Sequence, residues 1–258
     1  MPELPEVESI RTYLIESHKG KTIRAIDVHA MKQIMGDVCD VTDTQIVDFK
    51  RLGKVLLMHL SNDSVVQIHL KMSGHLSLWP NAYTRASIHF HDAETIYFND
   101  PRRFGWIKID TQLHVPSGID CLDDRFTAKL FRQIIERSRR NIKSLLLDQS
   151  VVAGIGNIYA NDALWEASIS PYRSAHTLTT DEGARLYDAI CLVIAEGIQY
   201  GGSSKTYVYR LPDGRRGSYQ DHFRVYDQEG EQCKRCGTII KRVSQSGRST
   251  WFCTTCQI

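Results

Sequence analysis

Four of the seven cysteines lie near the C-terminus in two C-x-x-C pairs. Cys233 and Cys236 form the first pair, Cys253 and Cys256 the second, and sixteen residues separate the pairs. This spacing is typical of a four-thiolate zinc site, because each pair presents two sulfurs from one tight turn. We therefore predict one structural Zn²⁺ ion per chain, with no open coordination position for catalysis.

Two alternatives to a DNA-contacting zinc ribbon exist for this tail. Disulfide bonds are disfavoured because the chain shows no export signal. A purely structural ribbon without nucleic-acid contact stays open. The predicted hairpin would nevertheless expose basic side chains and an aromatic one, a combination suited to phosphates and base edges. These residues are Lys241, Arg242, Arg248 and Trp251.

The N-terminus carries a candidate nucleophile. Methionine is removed efficiently before a small residue, so we expect Pro2 to become the first residue, with a free secondary amine. At neutral pH a terminal amine is uncharged more often than a lysine by a factor of about 10². Its condensation with an aldehyde would give a cationic iminium, with Glu3 and Glu6 as candidate acid or base. Local sequence alone favours a simpler alternative, in which Pro2, Glu3 and Pro5 cap a helix.

The elements that must position these groups follow from hydrophobic periodicity. Val7, Ile10 and Leu14 predict a helix to about Ser17. Short β-type segments separated by turn residues then predict a β-sandwich or barrel. The expected strands are 23–28, 54–60, 65–70, 87–90, 95–98 and 106–109.

The second half of the chain is predicted to be helical. Thr127 is a candidate cap for a helix that covers 130–135, and further helices are expected at 158–165 and from 180 to about 197. The segment 142–147 lies between the first two of these helices. The predicted fold class is α+β. The predicted domains are 1–112 for the helix and β-sandwich, 113–125 for a connection, 126–222 for the helical domain and 223–258 for the zinc finger.

Composition narrows the class of protein. A hydrophobic content of 42% and a charged content of 24% in 258 residues exclude disordered, collagen-like and coiled-coil chains. No apolar run approaches the roughly 18 residues of a membrane span, and the acidic N-terminus is unlike a signal peptide, so we expect a soluble intracellular protein. Residues 201–258 carry ten Lys/Arg against five Asp/Glu. On charge alone, a solvated surface explains this better than a polyanionic partner.

Five motifs, taken in order, resemble the bacterial formamidopyrimidine-DNA glycosylases, the Fpg branch of the Fpg/Nei family. The resemblance covers essentially the whole chain. The motifs are the opening 2–8, Gly53-Lys54 with the segment 69–74, the segment 100–105, the segment 152–160, and the four-cysteine finger with Gly247-Arg248.

The resemblance implies a bifunctional DNA glycosylase and AP lyase of base-excision repair. Pro2 would attack the sugar C1′, and Glu3 would protonate the opening deoxyribose ring. The resulting iminium would allow β,δ-elimination of both phosphates. Lys54 would lie near the phosphates that flank the lesion and donate a proton in the elimination. Arg248 would bind the phosphates beside the lesion. Pro2, Glu3, Lys54 and Arg248 are therefore the implied catalytic residues.

The resemblance also implies how the duplex is held. A flipped nucleotide leaves a gap that must be filled, and the resemblance assigns this to Met72, Arg102 and Phe104. Without it, Met72 and Phe104 would be interpreted as core residues. Asn157, in a turn that resembles the helix–two-turns–helix motif, would hold a phosphate. Lys54 and Arg248 complete the implied DNA-binding set.

Substrate and context follow from the same resemblance. Leu4 and the Fpg-like opening imply oxidised purines in damaged double-stranded DNA as the substrate. A Nei-like enzyme for oxidised pyrimidines, a non-catalytic damage-binding protein and a zinc-ribbon RNA-binding module are the alternatives. The RNA-binding module leaves the other motifs unexplained. We expect a monomer in the bacterial cytosol and nucleoid, with no membrane partner.

The chain departs from the family pattern at several positions. The segment 83–87 stands where many members have a histidine-rich sequence, and Ser150 stands where a phosphate-contacting lysine is common. Two DNA contacts are therefore not carried over. Lys71 replaces a usual glycine. The loop 203–220 does not reveal a base preference. This loop contains Lys205, Tyr207, Tyr209 and Arg210.

Overall fold

The computed structural model describes residues 1–205 and 209–258, so Tyr207 lies outside the described residues. The chain forms two compact units. Unit 1 comprises Met1–Val115 with Tyr200–Gln220, and unit 2 comprises Pro116–Gln199 with Asp221–Ile258. The segment Tyr200–Gln220, which our domain ranges assign to the helical half, is thus part of unit 1.

Unit 1 contains two sheets. One has the strand order β1-β7-β8-β6 and the other the order β2-β9-β5-β4-β3, and of these pairings β2 with β9 is parallel. Inward-facing residues of both sheets share one apolar core, so the predicted β-sandwich is confirmed. The strands are β1 (Ile23–Val28), β2 (Ile34–Met35), β3 (Ile46–Leu52), β4 (Val55–Leu60), β5 (Val65–His69), β6 (His75–Ser77), β7 (Thr84–Phe90), β8 (Ile96–Asn99) and β9 (Trp106–Asp110).

Three strands of unit 1 escaped prediction. Strands β2 and β6 have two and three residues, too few to show alternation. Strand β3 is longer, but a register shift after Ile46 interrupts its alternating pattern. The first helix, α1 (Leu4–His18), ends one residue beyond the predicted end and packs on β3 and β4.

Unit 2 is mainly helical. Its helices are α2 (Ala128–Glu136), α3 (Ile142–Leu147), α4 (Asn157–Glu166) and α5 (Thr180–Gln199). The Thr127 hydroxyl accepts the Leu130 N–H at 3.2 Å, which confirms the predicted cap. Short parallel strands β10 (Ile119–Asp120) and β11 (Val152–Ala153) pair in this unit. The finger hairpin is formed by β12 (Lys241–Gln245) and β13 (Arg248–Phe252).

The shorter helical pieces are 3₁₀ turns at Met31–Gln33, Val38–Val41, Ala175–Thr177 and Tyr219–His222. In the described part of the chain, none of the helices has the length and apolar character needed to cross a membrane.

Candidate active site, metal centre and nucleic-acid contacts

The start of α1 buries two carboxylates. Glu3 and Glu6 are 4% and 1% exposed and form a reciprocal capping box, in which the Glu6 carboxylate accepts the Glu3 N–H at 2.7 Å. Pro2, the candidate nucleophile, is buried beside them. The helix-cap role and the catalytic role of this segment are therefore compatible, because the cap is what fixes the two carboxylates next to Pro2.

Residues 201–205 return to this helix start. The Ser203 N–H donates to Glu6 Oε1 at 2.8 Å, and the Tyr209 hydroxyl donates to the Gly201 carbonyl at 2.9 Å. Gly202 has φ +76°, and a Cβ there would lie 2.7 Å from Glu6 Cγ. A glycine is required because both the conformation and the space exclude a side chain. Burial, with a smaller effect from the Glu6 charge, raises the pKa of Tyr209.

Arg51 connects α1 to the turn that carries Lys54. Its Nε donates to Glu8 Oε2 at 2.9 Å, and its Nη1 donates to the Gly53 carbonyl at 2.8 Å. Burial of Glu8 opposes ionisation, but Arg11 and Arg51 outweigh it and lower the pKa of Glu8. Gly53 has φ +58°, which suits the tight turn between β3 and β4. The turn with the sequence motif Gly53-Lys54 is thus held to α1, which begins two residues after the candidate nucleophile Pro2.

Lys54 is 4% exposed and lies near His69, whose strand pairs with β4. Burial, followed by the charges of Lys71 and Lys54, lowers the pKa of His69 to about 3. The neutral ring accepts the Lys71 N–H on Nδ1 at 3.1 Å. Lys71 has φ +51°, in the left-handed region, which explains why a glycine is usual at this position.

Asp100 organises the two loops that carry Met72, Arg102 and Phe104. Its carboxylate is fully buried and accepts four hydrogen bonds. The donors are the Ser73 hydroxyl at 2.5 Å, the Gln33 amide at 3.1 Å, and the backbone N–H groups of Arg102 at 3.2 Å and Gly105 at 2.7 Å. One carboxylate therefore fixes both loops.

The three side chains presented by these loops are exposed. Met72 and Phe104 are 38% and 54% exposed, and the Arg102 guanidinium stacks on the Phe104 ring at 4.8 Å from its centroid. Exposed apolar side chains on rigid loops suit insertion between base pairs. The interpretation of Met72 and Phe104 as core residues is thus wrong.

The four finger cysteines converge in the structure. All four sulfurs lie within 4.8 Å of one another, with Cys233 to Cys256 at 3.8 Å and Cys236 to Cys253 at 3.5 Å. Tetrahedral thiolates at about 2.3 Å from zinc are separated by close to these distances. The donor set and its spacing therefore fit one structural zinc ion.

Neighbouring groups support these sulfurs. The Trp165 indole N–H donates to the Cys233 sulfur at 3.4 Å, and the Cys256 N–H donates to the Cys253 sulfur at 3.4 Å. Hydrogen bonds from the hydroxyl and backbone of Thr238 lower the pKa of Cys236 to about 6. Such outer contacts orient ligands and favour the thiolate form that zinc needs.

The finger hairpin is fixed to helices α3 and α4. Lys143, only 1% exposed, donates to the Ser249 carbonyl at 2.8 Å and to the Thr250 hydroxyl at 2.6 Å. Asn157 donates to the same Ser249 carbonyl at 3.0 Å. Arg248, the residue before Ser249, is exposed at the start of β13. The structure thus brings Asn157 and the strand of Arg248 together.

Sequence reasoning missed Arg51 and Lys143, and it missed the role of the Asp100 carboxylate in fixing two loops. Lys143 had a signal, since it lies in the mostly apolar helix α3, where a charged residue needs a partner. Asp100 stood inside a motif used for the resemblance. Arg51 had no signal, because it lies in the strand that escaped prediction.

Comparison with known proteins agrees with this architecture. Residues 1–107 match the Formamidopyrimidine-DNA glycosylase N-terminal domain, residues 117–208 the Formamidopyrimidine-DNA glycosylase H2TH domain, and residues 230–258 the Zinc finger found in FPG and IleRS. These matches place the chain in the class of zinc-finger proteins with a helix–two-turns–helix (H2TH) domain. Within that class, the chain belongs to the formamidopyrimidine-DNA glycosylase family.

Individual relatives match along the whole chain. The Formamidopyrimidine-DNA glycosylase of Carboxydothermus hydrogenoformans is 39% identical over 269 residues, covering 100% of both proteins. That of Thermus thermophilus is 39% identical over 265 residues, covering 100% of this chain and 98% of the relative.

Solved structures of the family are also similar. The crystal structure of the MutM (Fpg) protein from Thermus thermophilus gives a TM-score of 0.94 at 38% identity, covering 99% of this chain and 98% of that one. The complex of Lactococcus lactis Fpg with DNA containing an abasic site gives 0.90 at 29% identity and 99% coverage of both.

Proposed function

We propose that this protein is a DNA glycosylase of base-excision repair that excises oxidised purines and then acts as an AP lyase. The observation that carries the proposal is the capped helix start, which buries Glu3 and Glu6 beside Pro2 in a chain that belongs to this family from end to end. Two similar structures, each with a TM-score of 0.90, are described as MutM with carbocyclic 8-oxo-G DNA and as a Lactococcus lactis Fpg mutant with Fapy-dG DNA.

The proposed chemistry begins at the Pro2 nitrogen, which becomes a secondary amine when Met1 is removed. Its lone pair forms a bond to the sugar C1′ as the base leaves with the glycosidic electron pair. The nitrogen then loses its proton and Glu3 donates a proton to the ring oxygen, so the bond from C1′ to the ring oxygen breaks and an iminium forms. Loss of a C2′ proton then expels the 3′ phosphate, and a second elimination expels the 5′ phosphate. Lys54 donates a proton in the elimination.

Each unit carries residues that we propose as DNA contacts. Met72, Arg102 and Phe104 fill the gap left by the flipped nucleotide, and Arg102 reads the unpaired base. Lys54, Asn157 and Arg248 hold backbone phosphates. Zinc, when bound to the four cysteines, supplies rigidity to the hairpin that presents Arg248.

A borohydride trap tests the covalent step. We expect the protein to form a permanent adduct with lesion-bearing duplex in the presence of borohydride, and Pro2→Gly to form far less. Cleavage of the same duplex by the active protein without any trapped adduct would contradict the role of Pro2. Intact mass provides the control, since full retention of Met1 leaves an amide at Pro2 and favours a non-catalytic damage-binding protein.

A second substrate class has a specific observation in its favour. One similar structure, with a TM-score of 0.90, is described as wild-type Lactococcus lactis Fpg with DNA containing an oxidised pyrimidine. Excision rates on identical duplexes with 8-oxoguanine opposite C, a formamidopyrimidine or an oxidised pyrimidine separate the classes. We expect the purine lesions to be released fastest, and a faster pyrimidine release would assign the protein to the Nei-like preference.

The proposal includes the setting of the reaction. The enzyme works as a monomer on damaged duplex in the bacterial cytosol and nucleoid. The curated relatives it matches are bacterial. Sedimentation of the protein with and without a short duplex tests the stoichiometry, with one chain per lesion expected.

A further inference from the structure

Arg85 is a buried cation without an anionic partner. It is only 8% exposed, and among the described residues its one side-chain hydrogen bond is from Nε to the Asp100 carbonyl at 2.9 Å. Within residues 1–205 and 209–258, Arg85 forms no ion pair. A guanidinium removed from water costs free energy unless an anion or several acceptors compensate it. Arg85 is therefore incompletely compensated in the free protein.

The carboxylate of Asp100 does not compensate it. Both oxygens of Asp100 accept hydrogen bonds from other groups, so Arg85 reaches the main-chain carbonyl instead. The buried side-chain atoms that lack a partner, in the described part of the chain, belong to Gln33, His59, Asn157 and Trp251. The Arg85 terminal nitrogens are not among them, so these nitrogens reach the surface. The Arg85 guanidinium is thus held through Nε, while its two terminal nitrogens are accessible to a ligand.

The location of this guanidinium indicates its ligand. The carbonyl that holds it belongs to Asp100, one residue before the loop 101–104 that presents Arg102 and Phe104. Arg102 and Arg103 are exposed beside it and form no ion pair within the described residues. A wedge that enters a duplex lies close to phosphates, because each strand carries one about every 3.4 Å along the axis. A guanidinium fork also matches phosphate geometry.

We propose that Arg85 binds a backbone phosphate of the duplex beside the inserted loop. The inference rests on the proposed function for the identity of the anion. It gives a role to the segment 83–87, where this chain lacks the histidine-rich sequence common in its family. In this chain the contact is made by an arginine that burial and the hydrogen bond to the Asp100 carbonyl already hold in place. Binding therefore costs little further side-chain entropy.

The salt dependence of binding tests this proposal. Arg85→Gln removes the charge but keeps an N–H donor for the Asp100 carbonyl. We expect its affinity for undamaged duplex at low salt to fall about tenfold, and the slope of log K against log salt to decrease by about 0.9, the value of one phosphate contact. Arg24→Gln, at an exposed arginine on β1, is the matched control. The control should change neither quantity.

A purely structural role predicts a different result. Misplacement of the loop would lower excision while leaving the salt slope of R85Q equal to that of the parent, and this outcome would overturn the proposal. Failure of the parent itself to excise lesions would refute the proposed function without deciding on Arg85, whose slope on undamaged duplex is measured independently of excision.

A second measurement does not use R85Q, so it tests the proposal even if that variant misfolds. Duplexes in which one phosphate at a time is replaced by a neutral methylphosphonate are bound to the parent and to Arg85→Lys. We expect one position at which neutralisation weakens the parent about tenfold and R85K by less, because lysine makes a single point contact where arginine makes two. Identical profiles for the two proteins would overturn the proposal.

Discussion

The Glu6 carboxylate joins two parts of unit 1 that are 197 residues apart in the chain. One oxygen accepts the Glu3 N–H at 2.7 Å, and the other accepts the Ser203 N–H at 2.8 Å. The same carboxylate thus caps α1 and holds the segment that follows α5. This contact helps explain why Tyr200–Gln220 belongs to the β-sandwich unit instead of the helices that precede it.

Glu6→Gln tests this junction. Both Glu6 oxygens face N–H donors, so the glutamine NH₂ must oppose one of them, and we expect a loss of about 1–3 kcal/mol in the free energy of unfolding. Excision should fall as well, because Pro2 and Glu3 lose their fixed position. Urea unfolding and single-turnover excision measure the two effects. Glu16→Gln, on the exposed face of the same helix, should change neither. Equal stability of E6Q and the parent would contradict the role of the junction.

Asp100→Asn tests whether the Asp100 carboxylate fixes both loops. Asparagine cannot accept the four hydrogen bonds that the carboxylate accepts, so the loops that present Met72, Arg102 and Phe104 should lose their positions. We expect excision to fall about tenfold to a hundredfold, with a smaller loss on substrates whose lesion base is already extrahelical. Asp63→Asn is the control, since Asp63 is exposed and asparagine tolerates its φ of +65°. Unchanged excision by D100N would refute the role of Asp100 in positioning these loops.

The His69 pKa predicts a pH dependence of stability. In the unfolded chain His69 protonates below about pH 6.5, whereas in the folded protein it stays neutral down to about pH 3. The unfolded state therefore binds the extra proton between these values, and stability falls as pH is lowered. The unfolding free energy of the parent relative to His69→Gln should drop by up to about 1.4 kcal/mol per pH unit in this window. Urea unfolding from about pH 8 to about pH 5 spans the upper part of the window; a constant difference would contradict the burial of a neutral ring.

Cys253→Ser tests the metal centre. Loss of one thiolate should abolish tight zinc binding, and the hairpin that presents Arg248 should unfold, since zinc supplies much of its folding free energy. We expect about one zinc per chain in the parent, little in C253S, and at least a roughly tenfold loss in duplex affinity. Metal analysis and titration with a labelled duplex measure both. Cys39→Ser, at an exposed cysteine of unit 1, is the control and should keep its zinc. Wild-type duplex affinity in zinc-free C253S would contradict the role of the finger.

Short-range signals determined much of this protein from the sequence. The C-x-x-C spacing specified the zinc ligands, because two tight turns joined by one hairpin leave little freedom. Helical periodicity and the Thr127 cap placed the helices within a few residues, and the ordered motifs identified the family. Each of these signals depends on neighbours in the chain, so it can be recognised without knowing the fold.

Long-range contacts were decided by the tertiary structure alone. The pairing of Glu6 with Ser203, the four donors that meet at Asp100, and the anchoring of Ser249 by Lys143 each join residues distant in sequence. A buried charge can be satisfied by many different partners, and the sequence does not indicate which of them folding brings within about 3 Å. Strand β3 was missed for a related reason, since the register shift that interrupts its pattern is a feature of its pairing with β4. The sequence thus determined the chemical groups and their elements, while packing decided which groups meet.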